Sequence, residues 1–347
     1  MKPPIEDGKT NNKKTTHQLL LAFTWIISIG CLVWTLQGAE LPKIGAELAR
    51  THPGWVAVAV VTDILVFCLH GWRWRLLLSP LSPVTFGQTV RAIYVGLFAN
   101  EVLPFRTGEV IRCLLLARWT KLPFSVTLSS ALVERIFDGL WLVLCLVLTA
   151  LLVRLPKYVV DGAVILAVVV VLGAALVGAA MFNKANTKER FAGNRWLSKL
   201  NVLLEDLHII GHSRFLYLSA LASVPYLLIQ IVPIYALAKA YPGLDISLAQ
   251  AAAIMVILRL GSVVPQAPGN VGMFQFLTAV GLQLFGIAEP IAKRFSFVMW
   301  AVVTLPLLIA GFIALAITGL KMSQIQKEAA TSMAEREAEL ARPNPHS

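Results

Sequence analysis

The densest group of polar residues in the chain lies between residues 100 and 112. It reads Asn100-Glu101-x-x-Pro104-x-Arg106-x-Gly108-Glu109-x-x-Arg112. Pro104 lacks a backbone donor and disfavours helix at the residue before it, whereas Gly108 tolerates the dihedral angles at which a helix can restart. A helix that begins near Gly108 would direct free N–H groups and the positive end of its dipole towards the break. That arrangement binds phosphate.

The charges of this segment allow two interpretations. Glu109 and Arg112 stand three residues apart on one helical face, so they can pair and simply hold the broken segment together. Alternatively, Arg106 or Arg112 is presented to an anionic ligand, with Glu101 and Glu109 as counter-ions. The spacing leaves both interpretations open.

A second charged cluster, Glu134-Arg135-x-x-Asp138, interrupts an otherwise apolar stretch. Glu134 and Asp138 share a helical face, and Arg135 stands three residues before Asp138. An ionisable side chain inside a membrane costs about 2.5–3.5 kcal/mol on insertion scales, so we expect all three to face the protein interior. There they either contact a ligand or form a purely structural ion-pair network.

A third segment, Pro265-Gln266-Ala267-Pro268-Gly269-Asn270-x-Gly272, concentrates prolines and glycines. Such a sequence forms a rigid turn with exposed backbone groups. Its N–H groups and carbonyls can cradle an anionic ligand, or it is a plain loop between two helices. Arg259 is a further candidate because it lies inside the apolar run before this turn.

The composition shows which elements must position these residues. Of the 347 residues, 57% are hydrophobic and 14% are charged, and the mean hydropathy is +0.73. Soluble proteins carry about 25% charged residues, so a soluble enzyme and a disordered chain are excluded. The net charge of +11 indicates basic cytoplasmic loops and an anionic lipid partner rather than nucleic acid. We therefore predict an all-α polytopic membrane protein.

Apolar runs long enough to cross a bilayer predict about six full transmembrane helices. They are 19–36, 55–72, 125–153, 159–182, 215–238 and 294–320. Two more apolar stretches, 88–117 and 248–286, are broken by Pro and Gly, and we expect them to be re-entrant. The sequence thus predicts one transmembrane domain, 19–320, between a cytoplasmic N-terminal tail, 1–18, and a charged cytoplasmic C-terminal tail, 321–347.

Lysine and arginine positions predict the orientation in the cytoplasmic (inner) membrane. Basic residues concentrate in the N-terminal tail, in 183–214, and at Arg73 and Arg75 after the second span. These regions all lie in the cytoplasm only if each broken segment enters and leaves on one side of the membrane. Both termini are then cytoplasmic.

The element order predicts an inverted repeat of two halves, 19–153 and 159–320. Pro and Gly stand four apart in both broken segments, at Pro104 and Gly108 and at Pro265 and Gly269. A charged pair follows each, Glu134-Arg135 and Lys293-Arg294. Such short matches also arise by chance, but interrupted helices in equivalent places of inverted repeats point to a transporter's central site.

At these three motifs the chain resembles the transmembrane region of lysylphosphatidylglycerol synthases, also called the flippase-like domain family. The resembling residues are Asn100-x-x-x-Pro104-x-Arg106-x-Gly108-Glu109-x-x-Arg112, Glu134-Arg135-x-x-Asp138 and Pro265-x-x-Pro268-Gly269-x-x-Gly272. In the best-known members a cytosolic aminoacyl-transferase domain follows, and the membrane part is held to move the modified lipid between leaflets. The resemblance implies a stand-alone membrane module here, without that domain, and the lysyl lipid cannot be carried over.

We expect a transporter or flippase for an anionic phospholipid or polyprenyl-phosphate lipid, whose head group passes between the two broken segments. The candidate substrate-binding residues are Asn100, Glu101, Pro104, Arg106, Gly108, Glu109, Arg112, Glu134, Arg135, Asp138, Arg259, Pro265, Pro268, Gly269, Gly272 and Arg294. We expect no cofactor, no metal site, no catalytic constellation and no nucleic-acid partner.

Two alternatives belong to other functional classes. The first is a membrane-embedded transferase or hydrolase in envelope lipid or glycolipid synthesis, with Glu109, Glu134 or Asp138 as a base. The second is an accessory subunit that recruits a cytosolic or membrane synthase through 183–214.

Overall fold

The computed structural model describes residues 7–103, 107–154, 157–182, 213–262 and 266–320, together with 322–324, 327–328 and 331 of the C-terminal tail. Within these ranges the long regular elements are all α-helices. The predicted all-α class is therefore confirmed. Pro104, Arg106 and Pro265 lie outside the described residues, as do most of 183–214 and most of the C-terminal tail.

Twelve α-helices lie in the described ranges. They are α1 (Asp7–Leu36), α2 (Pro42–Leu48), α3 (Pro53–Leu78), α4 (Phe86–Val102), α5 (Gly108–Thr120), α6 (Phe124–Leu152), α7 (Lys157–Phe182), α8 (Arg214–Ile229), α9 (Ile231–Ala240), α10 (Leu248–Gly261), α11 (Met273–Gln283) and α12 (Glu289–Thr318).

Length and apolar composition identify the helices that cross the membrane. Among the described residues, α3, α6, the continuous pair α8–α9 (Arg214–Ala240) and α12 are long and apolar enough to do so. Their outward side chains are large and hydrophobic, as at Leu151, which is 78% exposed, and the hydrocarbon core of a membrane covers such a surface favourably. The chain is therefore a polytopic membrane protein.

The first broken segment is a helical hairpin made of α4 and α5. A capping box starts α4, since the Thr85 side chain accepts from the Gln88 N–H and the Gln88 side chain accepts from the Thr85 N–H. The helices touch through Gly96 and Gly108, where a Cβ on Gly108 would lie 1.8 Å from the Gly96 carbonyl oxygen. Only glycine permits that approach.

The second broken segment is a hairpin of α10 and α11. A capping box of Ser247 and Gln250 starts α10 in the same way. The two helices run antiparallel, because Gly281 of α11 lies against Ile254 and Gly261 of α10 lies against Leu277. Both broken segments thus turn back on themselves.

The two hairpins start from opposite ends of the molecule. At the α2 end, the His52 N–H donates to the Ala240 carbonyl over 3.1 Å, just before α10. At the α5 end, the Arg75 Nε donates to the Val84 carbonyl over 3.1 Å, just before α4. The tips therefore lie between these ends. That the hairpins are re-entrant, and that the halves form an inverted repeat, stay predictions.

The predicted second span, 55–72, is too short. Helix α3 continues to Leu78, and Arg73, which we expected in a cytoplasmic loop, is a completely buried residue of the bundle. The physical reason is that Arg73 finds carboxylate partners on α6, so its charge no longer requires water.

Candidate functional site

Glu134 on α6 is the centre of a buried ion network. Its side chain is 1% exposed and accepts from Arg73 Nε at Oε1 over 3.2 Å and from Arg112 Nη1 at Oε2 over 2.9 Å. The Nε2 atom of His70 lies 3.4 Å from the same Oε1. Glu134 therefore joins α3, α5 and α6.

Three further charged residues complete this network around its edge. Arg112 Nε donates to Glu109 Oε2 over 2.9 Å, so the predicted pair forms. Arg73 donates to Asp138, and Arg135 donates to Glu109 and lies 3.7 Å from Asp138. Three guanidinium groups thus face three carboxylates, and the network is neutral as a whole.

An aromatic ring lies against the guanidinium group of each of the two buried arginines. The guanidinium carbon of Arg73 lies 4.5 Å from the centre of the Tyr226 ring, and that of Arg112 lies 4.5 Å from the centre of the Trp74 ring. Arg112 is 3% exposed. Its geometry corresponds to the structural alternative for this segment, in which Arg112 pairs with protein carboxylates.

The expectation that the second cluster faces the interior is wrong for one of its members. The Arg135 side chain is 48% exposed, whereas those of Glu134 and Asp138 are 1% and 21% exposed. Glu134 and Asp138 share one helical face, and successive residues of a helix point about 100° apart, so Arg135 lies at the edge of that face.

The tip of the first hairpin already uses the helix N-terminus that we expected to hold an anion. Helix α5 begins at Gly108 as predicted, but the Gly108 N–H donates to Asn100 Oδ1 over 2.8 Å. This first N–H is therefore engaged by the protein itself. Asn100 acts as a brace between α4 and α5.

The tip of the second hairpin is a short 3-10 turn, Pro268–Asn270. Gly269 and Gly272 have φ angles of +73° and +90°, where a glycine is favoured. The Gly269 carbonyl accepts from Trp300 Nε1 over 2.7 Å, and the Ala267 N–H donates to Ser28 Oγ over 3.0 Å. Helices α12 and α1 thus hold the turn in place.

The two tips touch each other. Asn270 Nδ2 of the second hairpin donates to Glu101 Oε1 of the first over 2.9 Å. These segments lie 169 positions apart in the chain, so only the tertiary fold brings them together.

A cavity of about 230 Å³ lies beside this contact. Its walls are mainly apolar side chains of α3, α4 and α9 to α12. Its polar lining includes Asp63, Glu101, Gln230, Arg259, Gln266 and Asn270. Pockets for drug-sized ligands measure about 300–1,000 Å³, so the volume suits a small polar group rather than a whole lipid.

Arg259 is the cationic side chain among those that line this cavity. It donates to Gln230 Oε1, while Gln230 Nε2 donates to the Tyr226 carbonyl over 2.8 Å, which sets the orientation of the amide. Within the described part of the chain, no carboxylate lies within 4 Å of Arg259. The neutral amide of Gln230 thus holds the guanidinium of Arg259 at the cavity without cancelling its charge.

Arg294 lies away from the other candidates, at the α2 end. It donates to Glu40 Oε2 and Glu47 Oε2 over 2.9 and 2.8 Å, and Tyr241 also donates to Glu47. Burial alone raises the pKa of Glu47, but the hydrogen bonds from Arg294 and Tyr241 outweigh it, so this pKa is below its ordinary value. We call Glu40, Glu47, Tyr241 and Arg294 the α2 clamp.

Several residues of these sites were not among the candidates. Asp63 and Gln230 stand singly in apolar segments, and we expected Arg73, with Arg75, in a cytoplasmic loop, so no local spacing connects these residues to their partners. Asn270 belongs to a motif that we did identify. As for metals, nowhere in the described ranges do three or more His, Cys, Asp or Glu residues gather so that they could hold an ion.

Comparison with known proteins places the chain in a family. The family model described as the lysylphosphatidylglycerol synthase TM region matches residues 20–311, which include both hairpins and the ion network. The chain belongs to this family. Membership confirms the resemblance that the motifs suggested and associates the chain with membrane lipids.

The chain is similar to three other proteins, each over only part of that protein's length. A UPF0104 membrane protein of Methanocaldococcus jannaschii is 28% identical over 128 residues, which are 36% of each chain. Another, from Methanothermobacter thermautotrophicus, is 24% identical over 186 residues, or 53% of this chain and 52% of the relative. Glycosyltransferase AglD of Haloferax volcanii is 24% identical over 130 residues, which are 37% of this chain and 21% of the relative.

Proposed function

We propose that the protein is a transporter that moves an anionic lipid or lipid-linked head group, of phospholipid or polyprenyl-phosphate type, across the cytoplasmic membrane. The head group passes through the cavity between the two hairpin tips, and the acyl or prenyl chains stay in the lipid. Family membership supports a role with membrane lipids.

The observation that carries the proposal is the position of Arg259 in this cavity. A guanidinium group that is held by Gln230 and has no carboxylate within 4 Å in the described ranges can donate two hydrogen bonds to a phosphate. Gln266 and Asn270 add amide groups from the second hairpin, and Glu101 of the first hairpin accepts from Asn270 within the same cavity. A head group here would contact both hairpins.

The ion network has a supporting role in this proposal. Because its charges cancel, it does not compete with the cavity for an anion. It fixes α5 against α3 and α6, and so holds one hairpin in position while a ligand contacts its tip.

A vesicle assay tests the proposal. The purified protein is reconstituted with a fluorescent phosphatidylglycerol, and a membrane-impermeant quencher reports movement between leaflets; a radiolabelled polyprenyl phosphate is the second substrate. We expect movement faster than in empty vesicles. Arg259→Gln should slow it about tenfold or more, because a hydrogen bond to a charged group contributes about 1.5–3 kcal/mol.

Arg118→Gln is the matched control. Arg118 is 52% exposed and pairs with Glu328 at the α5 end, outside the cavity, so wild-type rates are expected. If the folded wild-type protein moves neither lipid class, the transport proposal is wrong.

The second candidate is a membrane-embedded transferase or an accessory subunit in envelope lipid or glycolipid synthesis. The similarity to a protein named glycosyltransferase favours it. A base must reach the proton that it removes, and Glu134, enclosed between two arginines, is poorly placed for that. Product formation by the solubilised protein with lipid-linked sugars would favour this candidate.

A further inference from the structure

Asp63 is a buried carboxylate that the proposed function leaves unused. It lies in the middle of α3, is 7% exposed and lines the tip cavity. No hydrogen bond or ion pair reaches it from any described residue. Arg259 is the cationic side chain that lines the same cavity.

The protonation state of Asp63 should depend on whether an anionic ligand occupies the cavity. While the cavity is empty, burial in apolar surroundings favours the protonated form of Asp63, and the positive charge of Arg259 favours the ionised form. When a singly charged phosphate binds Arg259, its charge offsets that of the guanidinium, and an ionised Asp63 then lies beside an anion with no positive charge left to compensate it. In a cavity with apolar walls two neighbouring anions are strongly unfavourable, and a proton on Asp63 removes the repulsion.

We propose that Asp63 takes up one proton from water when an anionic head group binds Arg259, and releases it to water on the other side when the head group leaves. This inference rests on the proposed function and deepens it. Each singly charged phosphodiester then moves together with one proton, so the transported pair is neutral. A proton gradient can drive such a transporter.

The titratable and charged groups around Asp63 come from three helices. Helix α10 contributes Arg259 and α4 contributes Glu101, which accepts from Asn270. Tyr94 of α4 is also near, but its hydroxyl donates to the Ile64 carbonyl over 3.3 Å. Cys68 lies one turn further along α3. Neutral polar groups reach the cavity from Gln230, between α8 and α9, and from Thr304 of α12.

The first experiment measures leaflet distribution. Vesicles with the full-length protein and fluorescent phosphatidylglycerol, which stays anionic at all pH values used, receive a gradient of one pH unit. For the wild type we expect the probe to accumulate towards the alkaline side by up to about tenfold, the ratio that one proton per lipid allows. Asp63→Asn should still move the probe but leave it equally distributed.

The second experiment measures the proton directly. Short-chain phosphatidylglycerol is added to the detergent-solubilised protein in weak buffer with a pH indicator. Wild type should take up protons when the lipid binds, up to about one per bound lipid, and Asp63→Asn should take up none. If Asp63→Asn does not fold, the test rests on proton uptake by the wild type. A wild type that binds the lipid without taking up a proton would overturn the inference.

Asp245→Asn is the matched control, since Asp245 is 87% exposed in the loop before α10 and pairs with Lys239. It should behave as wild type in both experiments. If the wild type moves the lipid but the final distribution between leaflets does not depend on the pH gradient, the proton coupling is wrong and the proposed transport function still stands. A folded wild type that moves no lipid overturns the proposed function, and this inference with it.

Discussion

Glu134 shows how a single residue can carry a structural network. It is almost completely buried, and both its oxygens are occupied by guanidinium groups from other helices. Removing one member of a buried ion pair leaves the partner without compensation, which costs about 3–5 kcal/mol. At this scale the sequence predicted the charged cluster on α6 but not Arg73, because the two partners stand 61 positions apart.

We therefore predict that Glu134→Gln lowers the free energy of unfolding by about 3 kcal/mol or more, because two buried arginines lose their carboxylate. Thermal unfolding of the detergent-solubilised protein measures this. Glu328→Gln, in an exposed pair with Arg118, is the control and should change stability by less than about 1 kcal/mol. Equal melting temperatures for the two variants would contradict the buried network.

The hairpins are the elements that bring the candidate residues together. The Pro and Gly spacing predicted both interruptions and the start of α5 at Gly108. It did not predict that Asn100 bonds to the Gly108 N–H, because that contact needs the hairpin to be closed. The sequence does contain a signal for the start of each hairpin, namely a capping-box pattern. It is formed by Thr85 and Gln88 before the first hairpin and by Ser247 and Gln250 before the second.

We predict that Gly108→Ala disrupts the first hairpin, because its Cβ would lie 1.8 Å from the Gly96 carbonyl oxygen and 2.7 Å from Asn100 Oδ1. Lipid movement in vesicles should fall and the melting temperature should drop. Gly87→Ala in the first turn of α4 is the control, since nothing lies within 4 Å of its added methyl group. Wild-type behaviour of Gly108→Ala would show that α4 and α5 are not in close contact.

The α2 clamp gives a pH dependence with a defined sign. Hydrogen bonds from Lys43 and Arg294 lower the pKa of Glu40, and the pKa of Glu47 is also lowered. A lowered folded-state pKa contributes stability that is complete above the ordinary glutamate pKa of about 4.3 and is lost as the pH falls through the folded-state pKa. The clamp should therefore weaken in acid.

We predict that Glu47→Gln lowers the melting temperature at pH 7, and that the difference from wild type shrinks as the pH falls to 4 and below. Melting curves of both proteins across this range measure the effect. Asp161→Asn, an exposed residue of α7, should show no such trend. A difference that grows in acid would have the wrong sign for this clamp.

At the scale of the whole molecule, the fold class and the approximate helices followed from composition and apolar runs. The cavity did not, because its lining comes from six helices spread from α3 to α12. Asp63 and Gln230 are single polar residues in apolar segments, and only the assembled bundle shows that they face Arg259. Local patterns predict elements well, but shared cavities depend on tertiary packing.

We predict opposite accessibility for the two ends of the molecule. Asp245→Cys at the α2 end should react with a membrane-impermeant maleimide on intact cells from which the outer envelope has been removed. Arg118→Cys at the α5 end should react only after the membrane is permeabilised, because the basic regions predict a cytoplasmic location for this end. Both variants are made in a background without the native cysteines, and reaction of both on intact cells would refute the orientation.

The charge symmetry of the ion network also restricts how the family can diverge. With three guanidinium groups against three carboxylates, a single neutralising change at Arg73, Arg112 or Glu134, the buried members, leaves an odd charge away from water. A second change on a different helix restores the balance. Substitutions at Arg73, Arg112 and Glu134 should therefore appear in pairs across related chains, and a lineage that lost one of them alone would first have to tolerate a less stable protein.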